Sequence, residues 1–236
     1  MRALDLYCGA GGATRGLRLA GFHVVGVDIK PQPHYRGDAF VLADLLALRV
    51  EFIRQFSFCW ALRPCQPHTA LRHAHNAKRH VDLIGPTRDL LIAAGVPYCI
   101  ENVVGAPLYN ATTLCGTMFG LATPDGAQLR RHRLFESSFP VLAPKCQHRR
   151  GVKTIGVYGG HARCRRRPAG QDHVPLSDFT AYDACYAMGV GWLVTNDELS
   201  QMVPPAFSEF IAQQWLGQKF AARQDGEASD AAASEP

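Results

Sequence analysis

The sequence predicts an α/β fold built on a parallel sheet, and three observations carry that expectation. Apolar runs of strand length alternate with helical patterns over the first hundred or so residues. A glycine-rich turn, Gly9-Ala10-Gly11-Gly12, joins the first run to the first helix. Acids, and one cysteine in a proline-flanked segment, stand where the runs end, which is where such sheets place their ligands.

Ala3-Leu4-Asp5-Leu6-Tyr7 reads as the first buried strand. The helix after the glycine turn carries Ala13, Leu17 and Leu19-Ala20 at helical spacing, and Gly21 ends it. Further strands are expected at 22–28, 39–44, 56–62 and 97–101, with a helix over 86–94 entered through Pro86. Beyond Phe135 the pattern weakens. Residues 137–176, rich in Gly, Pro and Arg, predict a small insert that is mostly β or irregular. Regular structure resumes near Leu176, and the last helix opens at Pro204-Pro205 with Phe207, Phe210, Ile211 and Trp215 along one face. Residues 221–236 lack apolar bulk and predict a disordered tail. The expected organisation is one main domain over 1–136 and 177–220, the insert at 137–176, and the tail.

At 236 residues and 47% hydrophobic, the chain is long enough for one α/β domain with a small appendage and too short for two. No apolar run approaches the ~20 residues that span a bilayer. Met1-Arg2 leads into a strand pattern without a secretory signal. These features predict a cytoplasmic monomer with no membrane association and with its eight cysteines reduced. Charge is uneven. Lys145, Arg149, Arg150, Lys153, Arg163, Arg165, Arg166 and Arg167 fall within 145–167 without one acid. The tail after Phe220 sums to −3, so the formal +5 of the chain leaves +8 on the body. Such a patch suits a polyanion, and reads equally as a solvated arginine-rich loop.

Four segments carry chemistry. The glycine turn allows close approach of a ligand to the backbone, and the helix start offers free N–H groups. Asp28 at the end of the second strand suits ribose hydroxyls, and Asp44 at the end of the third suits an adenine amino group. Each alone reads as well as a helix cap; the succession of three fitted strand ends favours an adenosyl cofactor. Arg63-Pro64-Cys65-Gln66-Pro67 follows the fourth strand, with prolines stiffening the loop and basic surroundings favouring a thiolate. Glu101-Asn102-Val103 ends the fifth strand. Arg130-Arg131-His132-Arg133-Leu134-Phe135-Glu136 predicts a strand with its arginines alternating onto one face, able to grip a carbonyl oxygen or a phosphate.

Taken in order, Asp5 to Gly12, Pro64-Cys65-Gln66, Glu101-Asn102-Val103, Arg131-His132-Arg133 and Val203-Pro204-Pro205 resemble the signature motifs of the DNA cytosine-5 methyltransferases. The resemblance covers about residues 1–136 and 180–217 and leaves the insert unmatched. The compact length, with Leu114-Cys115-Gly116-Thr117 and the late Met188, Trp192 and Glu198 run, looks like the short forms carried by bacteriophages. The resemblance implies a Rossmann-like S-adenosylmethionine-dependent methyltransferase fold acting on double-stranded DNA, whose target base is flipped from the helix. It implies Cys65 as nucleophile at cytosine carbon 6, Glu101 at ring N3 and the exocyclic amine, and Arg133 at O2 with Arg131 in support. It implies Tyr7, Gly9, Ala10, Gly12, Asp28, Ile29, Asp44, Pro64 and Val203 around S-adenosylmethionine, no metal at the site, and target recognition by the insert.

Three positions depart from the family pattern. Leu62-Arg63 stands where a small residue or proline precedes Pro-Cys-Gln. Leu129 replaces a glutamine two places before Arg131. Gln201 stands where an asparagine precedes the Val-Pro stretch. Arg63 could reach a phosphate, lower the Cys65 pKa, or lie along the surface. RNA or another cytosine substrate is the rival for the same chemistry; a non-catalytic relic is disfavoured by the presence of both Cys65 and Glu101. Cys146-x-His148 and His161-x-x-Cys164 have a loose zinc-ligand spacing within the insert, and read also as polar loop residues.

Overall fold

The computed structural model describes residues 1–62, 82–158 and 179–232, with side chains described up to residue 221. The elements in chain order are β1 (Arg2–Leu6), α1 (Gly12–Leu19), β2 (His23–Asp28), β3 (Ala39–Leu42), α2 (Val50–Ile53), β4 (Phe58–Leu62), α3 (Ile84–Ala94), β5 (Tyr98–Asn102), β6 (Thr112–Leu114), β7 (Gln128–Leu129), β8 (Arg133–Ser137), β9 (Thr154–Ile155), α4 (Ala181–Met188), α5 (Asn196–Gln201) and α6 (Pro205–Ala232). The five strands expected from the sequence are present, with ends shifted by up to two residues.

The main sheet has the order β3-β2-β1-β4-β5-β8-β6. Its first five strands are parallel; β8 joins β5, and β6 joins β8, in antiparallel sense. The strand order reverses between β1 and β4, so a crevice opens at the carboxyl ends of those two strands.

The parallel strands are buried on both faces, as their unbroken apolar runs require. Leu4, Leu6, Cys59, Ala61 and Ile100 pack with Ile53 and Leu91 on one side. Ala3, Phe58, Trp60 and Cys99 pack with Leu17, Phe207, Ile211 and Trp215 on the other. Each such fully buried large side chain contributes about 1.5–3 kcal/mol relative to an exposed one. A third apolar group closes the carboxyl end of the sheet: Leu129, Ile155 and Val157 against Ala187, Met188, Leu199 and Met202. Here β7 and β9 pair as a small parallel ribbon. A buried ion pair links α3 to β8, with Arg88 donating to both Glu136 carboxylate oxygens at 2.6 and 2.7 Å.

Two expectations change. The run 130–136 is not one strand: the chain leaves β7 after Leu129 and enters β8 only at Arg133, so Arg131 and Arg133 do not share a strand face. Helix α6 continues to Ala232, through most of the segment expected to be disordered. Alanine-rich sequence favours helix locally even where no apolar face is available to pack. No helix among the described residues is long and apolar enough to cross a membrane.

Candidate active site

The carboxyl end of β1 turns sharply. Tyr7 (φ 58°), Gly9 (φ 49°) and Gly11 (φ 89°) all take the left-handed conformation before α1 begins. Asp28, at the end of β2, braces this turn by accepting from Gly9 N at 3.1 Å, and accepts from Lys30 N at 3.0 Å through its other oxygen. Asp44 accepts from Leu46 N at 3.0 Å and so caps a short 3-10 turn. The cap alternative therefore holds for Asp44, while each carboxylate oxygen keeps a further lone pair. Ile29 is 61% exposed and Leu46 49%, apolar side chains left open beside the two acids. Tyr7 and Thr87 share a hydroxyl hydrogen bond of 3.1 Å.

The C-terminal segment closes over the same turn. A side chain on Gly12 would meet Val203 O at 2.6 Å, so only glycine lets Val203 approach. Trp192 Nε1 donates to Ala10 O at 3.2 Å. Beneath the turn, Asp5 is fully buried and accepts from Thr14 Oγ1 at 2.5 Å. Burial pushes its carboxyl up to about 7; the Thr14 hydroxyl holds it back and the nearby Asp28 adds to the rise.

At the end of β5 the carboxyl of Glu101 is 3% exposed and lies 3.0 Å from Arg133 Nε. Burial pushes it up to about 7, against the opposing pull of Arg133 and Arg131. Arg133 also donates to His132 O at 2.9 Å. Arg131 is fully buried and points elsewhere: it donates to Val157 O, to Ser200 O at 2.7 Å and to Met202 O at 2.6 Å. It ties the start of β8 to the segment preceding Val203, which makes it a positioning residue. The Tyr158 ring lies within 5.9 Å of the Arg133 guanidinium and 5.6 Å of that of Arg131.

The structure thus gathers Tyr7, Gly9, Ala10, Gly12, Asp28 and Val203 around one turn, and Glu101 with Arg133 at the end of β5. Arg63, Pro64 and Cys65 lie outside the described residues, as do His161, Cys164 and Arg163 to Arg167. Leu62, the last described residue before them, is register-paired with Glu101, and Cys65 is three residues further on. The strand cysteines Cys59 and Cys99 are fully buried, and burial pushes both thiols up, Cys59 to about 12, so neither is a thiolate. Sequence reasoning quotes Asp5 within the first motif without giving it a role, and misses Thr14 and Tyr158 beside the site. For Asp5 a signal exists: it is a charge between Leu4 and Leu6 in an otherwise apolar strand.

No family model matches the chain, and no curated protein matches it in sequence. Solved structures do match in shape. A Dnmt2 methyltransferase from S. pombe superposes with a TM-score of 0.57 at 17% identity, over 90% of this chain and 97% of that one. A candidate DNA modification methyltransferase encoded within an E. coli prophage gives 0.60 at 13% identity, over 92% and 99%. A Spodoptera frugiperda DNMT2 variant gives 0.50 at 13%, also over 92% and 99%. The chain has the Rossmann-like fold of the S-adenosylmethionine-dependent methyltransferases. At these identities the likeness is one of fold, and the chemistry rests on the residues above.

Proposed function

We propose that this chain transfers a methyl group from S-adenosylmethionine to carbon 5 of cytosine in double-stranded DNA, with Cys65 as the nucleophile. The observation that carries the reading is the Glu101–Arg133 pair, buried at the end of β5 beside the strand end that leads into Pro64-Cys65-Gln66. Cytosine presents an amine donor, the N3 acceptor and the O2 acceptor in a row. A carboxyl that keeps its proton near neutral pH donates to N3 while its other oxygen accepts from the amine, and Arg133 donates to O2. The same edge rejects thymine, whose N3 carries a proton. Withdrawing density through N3 and O2 makes carbon 6 electrophilic toward the Cys65 thiolate.

The donor set around the β1 turn fits an adenosyl cofactor. Asp28 and Asp44 offer acceptors to hydroxyl and amino groups, Ile29 and Leu46 offer open apolar surface, and the glycine turn allows close approach. Tyr7, Gly9, Ala10, Gly12 and Val203 would complete the site, with Pro64 from the cysteine segment. When bound, S-adenosylmethionine supplies the electrophilic methyl group. The basic residues of the insert, Lys145, Arg149, Arg150 and Lys153 among those described, supply phosphate contacts.

Covalent capture tests the reading. Duplexes of varied sequence carrying 5-fluorocytosine, incubated with the protein and S-adenosylmethionine, should give an adduct stable to denaturant, because fluorine cannot leave carbon 5 as a proton does. Cys65→Ala should give none. An adduct that persists in Cys65→Ala removes the assigned nucleophile, and capture of RNA in place of DNA moves the substrate.

A further inference from the structure

Cys115, His132, Cys146 and His148 come from three separate stretches of the chain, and their ligand atoms all lie within 4.8 Å of one another. His148 Nε2 is 3.3 Å from Cys115 Sγ, and His132 Nε2 is 3.5 Å from Cys146 Sγ. Tetrahedral zinc, with Zn–S of about 2.3 Å and Zn–N of about 2.1 Å, sets S···N separations of about 3.6 Å. The two imidazoles meet edge to face at 86°, with centroids 5.2 Å apart. Thr117 Oγ1 lies 3.4 Å from Cys115 Sγ, an outer hydrogen bond of the kind that steadies a metal thiolate. Two thiols and two imidazoles suit zinc; calcium and magnesium require oxygen ligands. Cys115 is buried while Cys146 and His148 are exposed, which leaves an entry path.

We propose that these four side chains bind one zinc ion. With four protein ligands the site is closed, so its role is structural. The ion would staple 138–153, which has little regular structure, to the loop after β6 and to the entry of β8. His132 stands between Arg131 and Arg133, and its own carbonyl accepts from Arg133. Fixing the His132 ring therefore fixes the backbone from which Arg133 reaches Glu101. The sequence reading assigned no metal at the active site and offered His161 and Cys164 as partners of Cys146 and His148; those two lie outside the described residues, and among the described residues Cys115 and His132 stand beside Cys146 and His148.

The test reads metal without reading activity, so it stands apart from the methyl-transfer reading. Tag-free protein purified without chelator should hold one zinc per chain by mass spectrometry. Cobalt exchanged into the site should show the intense visible bands of a tetrahedral thiolate–imidazole centre. Cys146→Ser and His148→Ala, both at exposed positions, should each reduce bound metal several-fold; the double variant His161→Ala/Cys164→Ser should keep it. The absence of zinc and of cobalt bands in the parent chain overturns the proposal. So does a Cys115–Cys146 disulfide in metal-free protein, or metal loss confined to the His161/Cys164 variant.

Discussion

Glu101 and Asp5 are carboxyls held in the fold with their proton, each raised to about 7 from ordinary values of 4.5 and 3.8. Because the folded pKa exceeds the unfolded one, the unfolded chain releases these protons first as pH rises. Their contribution to stability is therefore best below about pH 4 and falls progressively up to about pH 7. Glu101→Gln removes one titration. Its stability relative to the parent should improve by about 1–3 kcal/mol between pH 5 and pH 8, on top of whatever the altered contact with Arg133 costs at pH 5, where the parent carboxyl is protonated. Urea denaturation at the two pH values measures this. An unchanged difference between the two proteins would mean that Glu101 is not raised. Methyl transfer by the variant should fall by about 100-fold or more, as expected for loss of a positioned proton donor.

The packing of one element on another depends on two glycines that play different parts. At Gly16 a Cβ would sit 2.0 Å from Pro205 O and 2.2 Å from Ser208 Oγ, so α1 and α6 touch only because the side chain is missing. Gly16→Ala must push the helices apart, at a cost of about 1–3 kcal/mol. Thermal unfolding should show a fall of roughly 2–10 °C with cofactor affinity nearly unchanged. At Gly12 the obstruction is Val203 O, and the segment displaced is the one that closes over the β1 turn. Gly12→Ala should weaken binding of S-adenosylhomocysteine roughly tenfold or more by calorimetry. Equal affinities for the two variants would separate Val203 from the cofactor site.

For the whole molecule the uneven charge bears on the proposed contact with DNA, which would be made through the basic patch. Lys153 lies 3.7 Å from Asp125, and both side chains are exposed, a pair too solvated to neutralise the patch. Replacing Arg165, Arg166 and Arg167 by alanine should weaken DNA binding and reduce the slope of log affinity against log salt by about 0.9 for each phosphate no longer neutralised. Affinity for S-adenosylmethionine should hardly move. A slope equal to the parent's identifies the patch as a solvated loop.

The five parallel strands, their order along the chain and the residues at their ends were legible in the sequence, because apolar periodicity and glycine placement are local signals. Asp28, Glu101 and the glycine turn fall at strand ends for that reason. What the sequence could not show are contacts between distant residues. Glu101 meets Arg133 because β8 runs antiparallel beside β5. Arg131, expected beside Arg133 on one strand face, is drawn by the break between β7 and β8 to carbonyls as far along the chain as Met202. Cys115 and His148 meet across 33 positions, a pairing that no short spacing motif encodes. The tail shows the converse: its lack of apolar residues predicts no packing, but alanine's helix preference acts within the chain and extends α6 to Ala232. Local preference therefore determined which elements form, and the order of strands in the sheet decided which of their side chains meet, because that order sets the distances across which charge and hydrogen bonding act.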